Sequence, residues 1–160
     1  MKNKTLQKLP CNLVVACPPM KNNDNISMIV RAASCFGASK VIITGQNRVN
    51  PPISRDCPIE IEYRNSILAV VNTYKAIGYT MIGLEQNEYS FCLSDLNYFT
   101  DRVFLVVGNE TKGMDKEILD LMDMVVEIPL VGEPFSLNVA MAASICLCHL
   151  ATIKQPVSGV

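Results

Sequence analysis

Short runs of branched apolar residues, separated by segments of helical spacing, constrain this chain more than any other feature of its sequence. Leu13 to Ala16, Lys40 to Thr44, Tyr79 to Leu84, Val103 to Val107 and Met124 to Ile128 are apolar almost end to end, as strands covered on both faces are. Ile59 to Tyr63 alternates like a further short strand. Between them, Ile26 to Phe36, Ser66 to Ile77 and a stretch from about Asp115 to Leu121 read as helices, the first ended by Gly37. Strands alternating with helices predict an α/β fold, a mainly parallel sheet with helices on both faces. Ligands of such sheets bind beyond the carboxyl ends of the strands. The loops after Leu84, Val107 and Ile128 leave from that edge, and if their strands are neighbours they form one pocket.

The stretch from Met124 to Ile153 joins the last of these strands to the most apolar helical pattern in the chain. It breaks at Pro129, crosses a loop containing Gly132 and Pro134, and resumes as a helix. Ser136 is expected at the N-cap, accepting from free backbone N–H groups, with the Asn138 amide beside it. Val139, Met141, Ile145, Leu147, Leu150 and Ile153 surround most of that helix, so one face against its own sheet does not bury them all. A homodimer pairing this helix with its own copy is the expected solution.

Composition narrows the classes. The 160 residues suit a single domain, with residues 1–11 expected as a flexible N-terminal segment. Net charge is −1, so no global basic field announces nucleic acid, and any polyanion must be held by a local patch or another chain. Seven cysteines without a C-x-x-C pair read as reduced thiols of a cytosolic, cytoplasmic-type compartment. With a single histidine, His149, no metal site is expected. The apolar run ending at Cys17 is interrupted by Pro10 and Asn12 and is not read as a lipoprotein signal. Polar residues from Ser136 to Thr152 likewise make the last helix a buried one and not a membrane span.

The turns carry the chemistry. Gly108 to Gly113 has the spacing of a phosphate-binding loop, but Met114 stands where lysine is required, and no G-x-G-x-x-G follows a strand. Nucleoside triphosphates and dinucleotides are thereby disfavoured. What remains is a pocket rimmed by backbone groups at Gly108, Ile128 and Leu137, suited to an adenine-like ring with little phosphate. Arg31 is the only charge among the apolar residues of its helix, either a snorkelling side chain or a functional cation. Gly45 to Pro58, with Arg48 and Arg55, is long enough to act as a lid or binding loop.

Three sets of residues together resemble the ordered motifs of the SPOUT-superfamily RNA ribose 2′-O-methyltransferases: Asn25-Ile26 with Arg31-Ala32 and Phe36-Gly37; Val107 through Gly113; and Ile128-Pro129 with Ser136-Leu137-Asn138-Val139. The chain is most similar to the C-terminal catalytic domain of large eukaryotic tRNA guanosine-2′-O-methyltransferases and to the minimal bacterial tRNA members. The resemblance implies S-adenosyl-L-methionine as methyl donor, RNA, above all tRNA, as substrate, a homodimer, and a C-terminal trefoil knot, a rare exception to unknotted topology. It implies catalytic roles for Asn25, Arg31, Glu110, Ser136 and Asn138, and donor binding at Leu84, Gly108, Asn109, Gly113, Ile128 and Leu137. A guanidinium keeps its proton at ordinary pH, so Arg31 is read as clamping substrate phosphate and stabilising charge on the 2′ oxygen, with Glu110, a water, or Arg31 itself if the site depresses its pKa severely, taking the proton. Glu110 has a competing reading as a charge at the N-terminus of the following helix. Members commonly carry glycine where this chain has Asp24 or Ser27, so the first motif's loop is expected to differ in shape. Only about a dozen residues precede the first strand, and the RNA-binding domain that members usually add is expected to be absent. A catalytically silent RNA-binding or assembly paralogue is the alternative, disfavoured by the joint presence of the five catalytic candidates.

Overall fold

A computed structural model of the chain describes residues 12–51, 56–97, 100–134 and 136–153. The expectation for residues 1–11 lies outside them, as does Arg55. Seven strands, β1 (Asn12–Cys17), β2 (Lys40–Thr44), β3 (Glu60–Arg64), β4 (Thr80–Leu84), β5 (Phe91–Cys92), β6 (Arg102–Val107) and β7 (Met124–Glu127), form one sheet in the order β3-β2-β1-β6-β4-β7-β5. Every pairing between neighbours is parallel. The predicted α/β architecture with a parallel sheet is therefore observed, and β4, β6 and β7 are neighbours as the pocket requires. Two-residue β5 extends that edge and has no counterpart in the sequence reading, being too short to show a period.

Helices α1 (Asn23–Cys35), α2 (Ile67–Ala76), α3 (Lys116–Leu119) and α4 (Val139–Thr152) pack on this sheet. Because side chains alternate along a strand, β1 sends Leu13, Val15 and Cys17 to one face and Val14 and Ala16 to the other. The first set packs with Ile26, Ile29, Val30 and Ala33 of α1 and Ala140, Ala143, Leu147 and Leu150 of α4. The second packs with Val70 and Val71 of α2 and Ile118 of α3, around Phe104. Each large apolar side chain so buried contributes about 1.5–3 kcal/mol, and the two layers fix where the strand ends emerge.

Local signals set the helix ends. The Asn22 side chain caps α1 by accepting from Asp24 N, and Ser66 caps α2 by accepting from Ala69 N. α1 stops at Gly37, which takes the left-handed conformation (φ 80°) open to glycine. The expectation that Ser136 caps the last helix is corrected. Asn138 does so, its Oδ1 accepting from Ala140 N at 2.9 Å and Met141 N at 3.3 Å, and the helix starts at Val139. Two polar residues stood near the helix start, and the shorter reach from Asn138 to the first free N–H groups decided between them.

The loop after β2 is latched to the segment ahead of α1. Buried Asn47 accepts from Met20 N and donates to the carbonyl of Met20 and to Asn23 Oδ1. Asn50 donates its backbone N–H to Ser27 Oγ and its side-chain amide to Asp24 Oδ1. Asp24 and Ser27 thus have a local purpose: they hold this loop.

Candidate functional site

The ends of β4, β6 and β7 open onto a cleft of about 460 Å³. Leu84 and Glu85 form part of its floor, the Gly108–Gly113 loop one wall, and Glu127, Ile128 and Leu130 with residues 136–139 the other. All six residues expected to hold a cofactor (Leu84, Gly108, Asn109, Gly113, Ile128 and Leu137) line it, as do Glu110, Ser136 and Asn138. Among the described residues its lining contains three carboxylates, Glu85, Glu110 and Glu127, and neither lysine nor arginine.

The Gly108–Gly113 loop is a tight, internally bonded structure. Asn109 and Gly113 exchange backbone N–H···O bonds of 3.1 Å, and Gly113 is left-handed (φ 70°). The Asn109 side chain is spent on the same turn: its oxygen accepts from Thr111 N and Lys112 N, and its amide donates to the Pro19 carbonyl at 2.7 Å. Asn109 therefore shapes the wall and ties it to the end of β1.

A line of hydrogen bonds joins the three motif segments. The Asn138 amide donates to Asn25 Oδ1 at 3.0 Å, and the Asn25 amide donates to Glu110 Oε1 at 2.9 Å. The second oxygen of Glu110 accepts from Lys21 N at 3.2 Å. Residues 85 and 113 positions apart in sequence are thus brought into contact. The bonds turn Glu110 toward α1 and not toward the helix that follows it.

Arg31 and Ser136 stand apart from this line. Arg31 is exposed on α1, roughly a third of a turn around the helix from Asn25, does not line the cleft, and makes no hydrogen bond or ion pair among the described residues. Ser136 is exposed at the cleft, also without a hydrogen bond among the described residues. Sequence reasoning missed Glu85. Its Oε2 accepts from Met114 N at 2.7 Å and its Oε1 from Gln86 N at 3.0 Å. A Cβ on Gly108 would lie 2.6 Å from that carboxylate and one on Gly113 2.7 Å, so both glycines leave room for it. The available signal was a charge directly after a buried strand, at the edge where ligands bind.

No metal-holding group of three or more His, Cys, Asp or Glu occurs among the described residues, and no helix there is long and apolar enough to cross a membrane. His149 is held structurally, its Nε2 2.8 Å from the Leu96 carbonyl oxygen.

Comparison with known proteins adds to this geometry. The chain is similar to the tRNA (guanosine(18)-2′-O)-methyltransferase TARBP1 of Mus musculus, 27% identical over 89% of this chain and 9% of that protein. It is also similar to the tRNA (guanosine(18)-2′-O)-methyltransferase of Aquifex aeolicus, 28% identical over 90% of this chain and 71% of that one. Among solved structures, an AdoMet-bound rRNA methyltransferase from Sinorhizobium meliloti superimposes with a TM-score of 0.77 at 25% identity, over 87% of this chain and 55% of that chain. The chain spans about half the length of other curated relatives it matches. Residues 12–148 match the SpoU rRNA Methylase family, which takes in both layers of the sheet and all three motif segments, and the chain belongs to that family.

Proposed function

We propose that this chain methylates a ribose 2′-hydroxyl of RNA, with tRNA as the substrate class and S-adenosyl-L-methionine as donor. The observation that carries the reading is the cleft itself, lined among the described residues by three carboxylates and no cationic side chain at the strand ends of an RNA-methyltransferase fold. Such a lining opposes a polyphosphate and suits a cationic, phosphate-free adenosine derivative. Bound there, S-adenosylmethionine would supply a methyl group already activated on sulfur. The chain's own residues then need only hold the donor, orient the ribose and accept a proton.

Leu84, Gly108, Asn109, Gly113, Ile128 and Leu137 are assigned to the donor. Asn138 and Asn25 orient Glu110, whose carboxylate is the assigned proton acceptor. Ser136, with its hydroxyl free of partners among the described residues, is assigned to the substrate at the mouth of the cleft. Arg31 clamps the phosphate beside the target ribose and stabilises charge on the reacting oxygen.

A homodimer belongs to the same proposal. Met28 of α1 and Met141 and Ile145 of α4 are 48%, 51% and 43% exposed, on two helices that pack on one another. A second copy would cover them. Sedimentation at micromolar protein should give a dimer, and a concentration-independent monomer sinks that part. A single domain, in keeping with one family match over residues 12–148, completes the reading, together with a cytoplasmic location and threading of the C-terminal segment as a trefoil knot. The activity is tested by incubating the purified chain with labelled donor and either bulk tRNA or rRNA, followed by nucleoside analysis. A 2′-O-methylated nucleoside from tRNA is expected. Methylation of rRNA alone moves the substrate to the class of the S. meliloti relative, and no transfer to either, with donor bound, favours the silent paralogue.

A further inference from the structure

The cleft's charge points to a device for telling the two forms of the cofactor apart. S-adenosylmethionine and its demethylated product S-adenosylhomocysteine share the adenosine, the ammonium and the carboxylate. They differ in one full charge, the sulfonium. A site held together only by shape and main-chain hydrogen bonds has little means to prefer donor over product. A negative charge fixed close to the sulfur does.

Glu85 has the attributes of that charge. It leaves β4 where that strand lies between β6 and β7, so it stands in the middle of the cleft floor. Its two oxygens are held by backbone N–H groups of Met114 and Gln86, and no lysine or arginine pairs with it among the described residues. Gly108 and Gly113 both lack the Cβ that would collide with it. The other two carboxylates differ. Glu110 has both oxygens turned to α1 and its preceding loop through Asn25 and Lys21, and Glu127 stands toward β5, accepting from Ser90 Oγ at 2.7 Å. We propose that Glu85 is a specificity-determining residue of the cleft, favouring the sulfonium donor over the neutral thioether product and so hastening product release. This rests on the reading of the cleft as a donor site.

The test is titration calorimetry of the purified chain with each ligand separately, on the natural sequence and on Glu85→Gln. Glutamine still offers an oxygen to Met114 N but has no charge. The donor is expected to bind about tenfold more weakly to the variant, the scale of one partly screened charge at close range, while product affinity stays within about twofold. Unchanged product affinity also reports that the Gly108–Gly113 loop is intact. If Glu85→Gln does not fold, salt decides on the natural sequence. Donor affinity should fall relative to product affinity as ionic strength rises, and a constant ratio overturns the proposal. Equal loss of both ligands in Glu85→Gln assigns Glu85 to loop structure alone and overturns its discriminating role. Binding of neither ligand to the natural chain overturns the donor site itself, and this proposal with it.

Discussion

The two ends of the sheet treat the same residue type in opposite ways. At the β2–β3 edge, Glu60 and Glu62 each lie 2.9 Å from Lys40 Nζ, and Glu62 also pairs with Arg64. The hydrogen bond from Lys40 holds the Glu62 carboxyl below its ordinary range, and Glu60 and Glu62 hold the Lys40 ammonium above its own. At the cleft, Glu85, Glu110 and Glu127 receive N–H and O–H donors but, among the described residues, no cationic side chain. Charges neutralised by a neighbour in the same strand pair serve the strand pair. Charges left without a counterion at the mouth of a parallel sheet are available to a ligand that brings its own positive charge.

The largest effect expected concerns Arg31, a cation that meets no carboxylate among the described residues, just as the cleft carboxylates meet no cation there. Arg31→Ala should lower single-turnover methyl transfer by ~10²-fold or more while melting temperature and donor affinity stay nearly unchanged. Arg31→Lys should rescue poorly, since a point charge does not reproduce a bidentate fork. A destabilised alanine variant with normal turnover per folded molecule would return Arg31 to the class of the β2–β3 charges.

Asn25→Ala tests the line from Asn138 to Glu110. It removes the donor to Glu110 and the acceptor for Asn138, so methyl transfer is expected to fall by roughly tenfold, about the share of one misoriented proton acceptor. Stability should fall by only about 1 kcal/mol. Equal activity of variant and parent in a rapid-quench measurement would make this line purely structural.

Glu62→Gln supplies the counterpart at the β2–β3 edge. It should cost roughly 0.5–1 kcal/mol in a urea titration at neutral pH and leave donor affinity untouched. The sign with pH follows from the shifts. Glu62 is lowered in the folded state, so its contribution is complete above the ordinary value of 4.5 and is lost as pH falls through the folded value. Lys40 is raised, so its contribution is complete below 10.5 and is lost only as pH rises through the folded value. The parent should therefore lose more stability than Glu62→Gln between neutral and acid pH; parallel losses would detach the ion pair from acid stability.

The smallest effects are expected from thiol labelling. Burial pushes the Cys17 and Cys146 thiols up to about 12, beneath the α1–α4 layer. A thiol-specific reagent at pH 8 should modify exposed Cys35 and Cys148 at once and leave Cys17 and Cys146 until the protein unfolds. Early labelling of Cys146, read by mass spectrometry of peptides, would mean that α4 opens locally and that the cleft wall above it is not fixed.

Much of this architecture is legible in the sequence because continuous apolar runs are a direct imprint of strands buried on both faces. β2 begins and ends where its apolar run does, and the three loops that meet at the cleft were identifiable from strand ends alone. What depends on long-range pairing was not. Glu85 looks like any polar residue after a strand until Met114, 29 positions on, donates to it. Asn47 and Asn50 look like loop polarity until they latch onto Asn23, Asp24 and Ser27. The choice of Asn138 over Ser136 as cap turned on where the first helical turn closes, which composition does not reveal.

The pairing of β1 with β6 has a consequence for how the molecule is made. Asn12 stands in register with Arg102, and Val15 with Leu105. During synthesis β1 therefore has one side unpartnered until β6, some 85 positions further on, has emerged, because among the described strands β6 fills that side of the finished sheet. The early β1-β2-β3 half can associate meanwhile, with α1 and α2 over its faces, but its exposed inner edge is a template for other nascent strands. Entry of β6 between β1 and β4 closes that edge, and the cleft is complete only when β7 and the residues that follow it, Ile128 and Ser136 to Val139 among them, have supplied its other wall.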